Sequence, residues 1–151
     1  MISVTRRYRF SASHRLHSED LSAAENARLY GKCNNPFGHG HDYILEVSVS
    51  GPLSPVNGLL VPVAQLDMLI GDCVLRVIAH RNLNRDVARF ANTVPTTENL
   101  ALFIREVVQR NWRQYLGDST ARLARVHIQE TDRNGFEVLL RPALEGTTAN
   151  A

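Results

Sequence analysis

A chain of 151 residues suffices for one domain burying about 70% of its unfolded surface, and its two cysteines, Cys33 and Cys73, lie too far apart for a disulfide scaffold. The formal charge is only +2, and the sixteen arginines and one lysine are scattered, which argues against a nucleic-acid surface and leaves arginine available for a phosphorylated small molecule. No apolar run approaches the roughly 18 residues that cross a bilayer and no secretory signal is read, so the expectation is a soluble, cytoplasmic protein with free thiols.

Residues 2 to 12 place Ile2, Val4, Tyr8 and Phe10 in one alternating register, predicting a strand that ends near His14. Asp20 to Tyr30 carries helix formers closed by Gly31, and the loop Lys32 to Gly40 follows. Alternation returns from His41 to Ser50 and stops at Gly51-Pro52, giving a second strand. Leu66, Leu69, Ile70, Cys73, Val74 and Val77 fall three and four apart, the stripe of a helix over about Val63 to His80, with Cys73 as a small apolar member.

Pro95-Thr96-Thr97-Glu98 announces a second long helix, capped by a threonine and faced by Leu100, Phe103, Ile104, Val107 and Val108. Residues 122 to 130 and 136 to 141 alternate around Asn134-Gly135, a hairpin signal. The expected architecture is therefore α+β: an antiparallel four-stranded sheet with two long helices on one face, as a single domain over 1–141 and a disordered tail over 142–151. The open edges of such a sheet predict an oligomer.

The chemistry-bearing residues concentrate near the end of the first strand and the start of the second. In an extended backbone His39 and His41 project to the same side, and His14 ends the neighbouring strand, so three imidazoles with an open fourth position would suit a catalytic zinc. Cys33, six residues before His39, admits three readings: a fourth ligand closing a structural site, a nucleophile or thiolate base, or an inert loop thiol. His80 follows the first long helix and could take a thiol proton if the fold brings it to Cys33. Glu130, at the end of its strand, could accept two hydrogen bonds or simply face solvent, whereas His17 and His127 have no partner in the pattern and read as structural.

Four segments in order, Phe10-Ser11-Ala12-Ser13-His14-Arg15-Leu16, Cys33-Asn34-Asn35-Pro36 with Gly38-His39-Gly40-His41, Pro95-Thr96-Thr97-Glu98-Asn99 and Glu130-Thr131-Asp132, resemble the motifs of the 6-pyruvoyl tetrahydropterin synthase family, which also contains the 6-carboxytetrahydropterin synthases of queuosine synthesis. The resemblance extends to about Leu140, and the five residues between Cys33 and His39 favour the pyruvoyl branch. It implies a tunnelling fold, ββααββ subunits joined into an oligomeric barrel and stacked as a hexamer of two trimers. It also implies Zn2+ on His14, His39 and His41, Cys33 as proton-abstracting base, His80 assisting it, and Glu130 anchoring a pterin beside Thr96 and Thr97. The implied reaction converts 7,8-dihydroneopterin triphosphate to 6-pyruvoyl-tetrahydropterin with loss of triphosphate; a 6-carboxytetrahydropterin synthase or a catalytically altered, zinc-containing pterin-binding protein is the alternative.

The chain departs from the family pattern at two places. Ala79 stands before His80 where aspartate is usual, and Pro62 follows Gly58-Leu59-Leu60-Val61 where aspartate or asparagine is usual. The first leaves the imidazole without its adjacent carboxylate, with Asp86 or Asp67 as substitutes, and Ala79→Asp is expected to raise turnover.

Overall fold

The computed structural model describes residues 1–141; the tail expected to be disordered lies outside the described residues. Two long strands form the spine, β1 (Ile2–His14) and β2 (His39–Gly51), antiparallel over their whole length so that His14 stands opposite His39. Between them lie α1 (Ala23–Tyr30) and a 3-10 turn, Gly31–Asn34. Ser22 and Glu25 close a reciprocal capping box, which starts α1 three residues later than the helix-forming composition suggests.

The helix expected over about Val63 to His80 ends at Ile78. It begins as α2 (Val63–Leu69), passes through a π-helical segment, Ile70–Leu75, and finishes as α3 (Arg76–Ile78). Ala79 is extended and His80 has φ +57°, so neither continues it. Pro62 occupies the N-cap of α2 and makes no side-chain cap, which gives that departure a local structural meaning: asparagine or aspartate there would cap the helix.

A two-residue strand, β3 (Arg81–Asn82), then pairs parallel to β1, followed by α4 (Leu83–Asp86) and a 3-10 turn, Ala88–Phe90. Thr96 caps α5 (Thr97–Leu116) through a bond from Asn99 N–H, as the sequence predicts. The closing hairpin is β4 (Arg122–Gln129) and β5 (Gly135–Leu139), with Asn134 in a five-residue loop rather than in a two-residue turn.

The α+β class holds, but the sheet is five-stranded and mixed, ordered β3-β1-β2-β4-β5, and not purely antiparallel with four strands. The added strand is too short for any periodicity to reveal. One face of the sheet is covered by the helices: Leu45, Val47, Val126 and Ile128 meet Leu66, Leu69, Ile70, Val74 and Ile78, with Leu100, Ile104 and Val108 of α5, all fully buried. Each such side chain contributes about 1.5–3 kcal/mol on removal from water. Among the described residues no helix is long and apolar enough to cross a membrane.

Candidate metal centre

The alternation of β1 and β2 that buries Phe10, Ala12 and Tyr43 under the helices carries His14, His39 and His41 onto the same face. Their ligand nitrogens lie within 4.8 Å of one another, and the Nε2 atoms of His39 and His41 are 2.9 Å apart. His14 is wholly buried, and its Nδ1 is 2.8 Å from the Pro95 carbonyl oxygen. A carbonyl only accepts, so Nδ1 carries the proton and the Nε2 lone pair is free. Among the described residues that buried Nε2 has no hydrogen-bond partner. Burial, the dominant cause, holds the pKa values of His14 and His41 below the ordinary imidazole value, which keeps both neutral and ready to ligate near pH 7. Three imidazoles on one face, one of them with an orphaned buried nitrogen, fit a divalent metal of the zinc type.

Backbone detail fixes this arrangement. Gly38 has φ +71°, and a Cβ on it would come within 2.8 Å of the His14 carbonyl oxygen, so only glycine lets the Cys33 loop return this close to β1. Leu16 N–H donates to the Cys33 carbonyl at 2.8 Å, and Asn34 Nδ2 donates to the Leu16 carbonyl, tying that loop to the chain just beyond His14. Asn84 clamps the same stretch from the other side, accepting from Arg15 N–H and donating to its carbonyl.

Glu130 enters from the end of β4. Its Oε1 accepts from Thr97 Oγ1 at 2.7 Å and lies 3.8 Å from His14 Nε2 and 3.6 Å from His41 Nε2. Thr97 is buried at the start of α5, so the first turn of that helix aims the carboxylate, whereas the Thr96 hydroxyl is committed to capping. Burial and the nearby Glu130 push the Cys33 thiol pKa up, which keeps it protonated in the metal-free chain, and Cys33 is not among the three residues whose ligand atoms cluster.

Tyr43 is a member of the site that chemistry-first reading of the sequence leaves among the strand's apolar residues. Its ring stacks on Phe10 and lies edge-on to His41, and among the described residues its buried hydroxyl has no hydrogen-bond partner. Burial, reinforced by Glu130 and Cys33, raises its pKa. The signal for it was its spacing: Tyr43 follows His39 and His41 at period two on one face.

His80 is placed elsewhere. It lines a cavity of about 440 Å³ with Ala79, Asp42 and Glu130, and among the described residues no hydrogen bond or ion pair joins it to Cys33. The two suggested substitutes for a carboxylate at position 79 are engaged elsewhere. Asp67 receives Arg6 Nε and Nη2 and the Tyr8 hydroxyl, and Asp86 accepts Asn82 N–H. His17 meets Asn34 and Glu19, and His127 lies 3.5 Å from Glu46, both apart from the metal centre.

Known proteins resemble this chain throughout these elements. The family model described as 6-pyruvoyl tetrahydropterin synthase matches residues 3–140. The 6-pyruvoyl tetrahydrobiopterin synthase of Poecilia reticulata is 45% identical over 131 residues, covering 87% of this chain and 85% of its own, and that of Homo sapiens is 42% identical over 131 residues, covering 87% and 86%. The solved structure of the 6-pyruvoyl tetrahydropterin synthase of Caenorhabditis elegans superposes with a TM-score of 0.82 at 39% identity, over 93% of this chain and 96% of that one. The chain belongs to the 6-pyruvoyl tetrahydropterin synthase family.

Proposed function

We propose that the chain is a metal-dependent lyase that converts 7,8-dihydroneopterin triphosphate to 6-pyruvoyl-tetrahydropterin with elimination of triphosphate. The observation that carries the reading is the buried Nε2 of His14, partnerless among the described residues and facing two further imidazoles on one face, in a chain 45% and 42% identical to the 6-pyruvoyl tetrahydrobiopterin synthases of Poecilia reticulata and Homo sapiens.

His14, His39 and His41 hold Zn2+, which supplies Lewis acidity to the hydroxyls of the substrate side chain. Glu130, aimed by Thr97, anchors the amino-pyrimidine edge of the pterin by accepting its N–H groups, and the Thr96-Thr97 turn lies along the ring. Cys33 removes the proton from the side-chain carbon. Its thiol pKa must fall for this, and a cation on the imidazoles or a nearby imidazolium opposes the upward push of burial and Glu130. Among the described residues of one chain no hydrogen bond joins His80 to Cys33, so to assist as proton acceptor His80 must meet the Cys33 of a neighbouring subunit of the oligomer.

The unpaired outer edges of β3 and β5 among the described residues support the oligomeric barrel and hexamer, and the free Cys33 and Cys73 suit a reducing cytoplasm. The test is to incubate metal-quantified protein with 7,8-dihydroneopterin triphosphate, following triphosphate release and pterin products by mass spectrometry, with Cys33→Ala alongside. Release that requires Cys33 and metal, with 6-pyruvoyl-tetrahydropterin as product, supports the reading. A 6-carboxytetrahydropterin product, or pterin binding with no release, overturns it.

A further inference from the structure

We infer that Asp42, acting through the Ser11 hydroxyl, is the carboxylate that positions the His80 imidazole. The inference rests on the part given to His80 in the proposed reaction.

Three residues form a row across adjacent strands. Ser11 of β1 stands opposite Asp42 of β2, and on its other side the parallel pairing of Ala12 with Arg81 puts His80 beside Ser11, with His80 N–H donating to the Ser11 carbonyl at 2.7 Å. Phe10, Ala12 and Tyr43 point under the helices, so Ser11 and Asp42 point to the opposite face. His80 lines two openings there, of about 400 and 440 Å³, and Ser11 and Asp42 line both with it.

Two strand spacings separate the Cα atoms of Asp42 and His80 by about 10 Å, too far for one direct hydrogen bond and well matched to a hydroxyl between them. Ser11 Oγ donates to Asp42 Oδ1 at 2.5 Å. A serine hydroxyl has one proton and two lone pairs, so this donation leaves Oγ able to accept from an imidazole N–H. The carboxylate thereby fixes the direction of the hydroxyl; the His80 ring makes no hydrogen bond among the described residues, and turned toward Oγ it would have its protonated nitrogen chosen by that hydroxyl.

His80 is the one non-glycine residue with positive φ among the described residues, a conformation costing about 1–2 kcal/mol that persists only when its surroundings hold it. Other carboxylates are less suited. Asp67 and Asp86 are bonded elsewhere, Glu130 is held by Thr97, and Asp132 lines only one of the two openings. Ala79 brings no polar atom, although it borders the larger opening and a carboxylate on it would share that space with His80.

The test uses full-length, zinc-loaded protein and the variants Asp42→Asn, Ser11→Ala and Asp42→Asn with Ala79→Asp. With active wild type, Asp42→Asn is expected to lower kcat at least tenfold with KM within twofold and metal content unchanged. Ser11→Ala should add little to that loss when combined with it, and Ala79→Asp should restore most of the turnover. Independently of turnover, the 15N chemical shifts of the His80 ring should move in Asp42→Asn and in Ser11→Ala. An inactive wild type therefore defeats the lyase reading while the ring shifts still judge the relay. An unchanged kcat in Asp42→Asn, a loss that Ala79→Asp leaves in place, loss of metal along with activity, or unmoved ring shifts would overturn it.

Discussion

His14 Nδ1 stands 2.8 Å from the Pro95 carbonyl oxygen, so the segment leading into α5 sets the tautomer of an imidazole that belongs to β1. The free Nε2 is then the nitrogen turned toward His39 and His41. His14→Ala is expected to reduce bound metal to less than a tenth of the wild-type stoichiometry, measured by inductively coupled plasma mass spectrometry. In the wild type, free metal at a hundredfold over its Kd should stabilise the fold by about 2.7 kcal/mol, read as a Tm that falls on chelation. A Tm unmoved by chelator would contradict the assignment.

Gly38→Ala should damage the centre without touching a ligand. Its Cβ would meet the His14 carbonyl oxygen at 2.8 Å, and its φ of +71° is unfavourable for alanine. A loss of about 1–3 kcal/mol in unfolding free energy is expected. Weaker metal binding should accompany it in a competition titration with a chromogenic chelator.

Asp67 provides a pH signature unrelated to the metal. The hydrogen bond from Arg6, supported by Tyr8, holds its carboxyl below the ordinary value of 3.8, so the native state favours the ionised form. The unfolded chain therefore binds the proton more readily, and the stabilisation is complete above pH 3.8 and is lost as pH falls through the folded-state pKa. Urea midpoints of wild type and Asp67→Asn should differ at neutral pH, wild type higher, and converge in strong acid. A gap that persists in acid would rule out the ionised carboxylate as its source.

Tyr43→Phe separates stability from function. Removing a buried hydroxyl that has no partner should leave the fold as stable or raise it by up to roughly 1 kcal/mol. If the hydroxyl serves substrate, KM or kcat worsens in the same variant whose Tm does not fall. A drop in Tm would show that the hydroxyl has a structural partner.

Much of this was legible in the sequence because it is written in short-range periods. Alternation located β1, β2 and β4, the three-and-four stripe located the first long helix, and Pro95-Thr96-Thr97-Glu98 marked the start of α5. His39 and His41 share a face by spacing alone, and the antiparallel register adds His14. What escaped depends on contacts distant in sequence. The pairing of Arg81–Asn82 with β1 is two residues long, the stop at Ile78 follows from the extended Ala79 and the left-handed His80, and the position of Asp42 beside Ser11 has no local pattern. Asp67 and Asp86 were reasonable carboxylates by sequence distance from His80, but partners far along the chain or in a tight turn already hold them.

The π-helical segment Ile70–Leu75 makes the first long helix a length-sensitive element. Five-residue hydrogen-bonded loops accommodate one residue more than regular α-helix would, and one residue corresponds to about 100° of rotation. Leu66, Leu69, Ile70, Val74 and Ile78 all reach the core across this wider turn. Excising a single residue from 70–75 would tighten it into ordinary helix and swing everything after it by a quarter-turn or more. Ile78 would leave its socket, and the connection that lays His80 beside Ser11 would start from the wrong azimuth. This helix thus acts as a gauge block: its residue count, more than its composition, sets where the edge of the sheet receives the His80 imidazole.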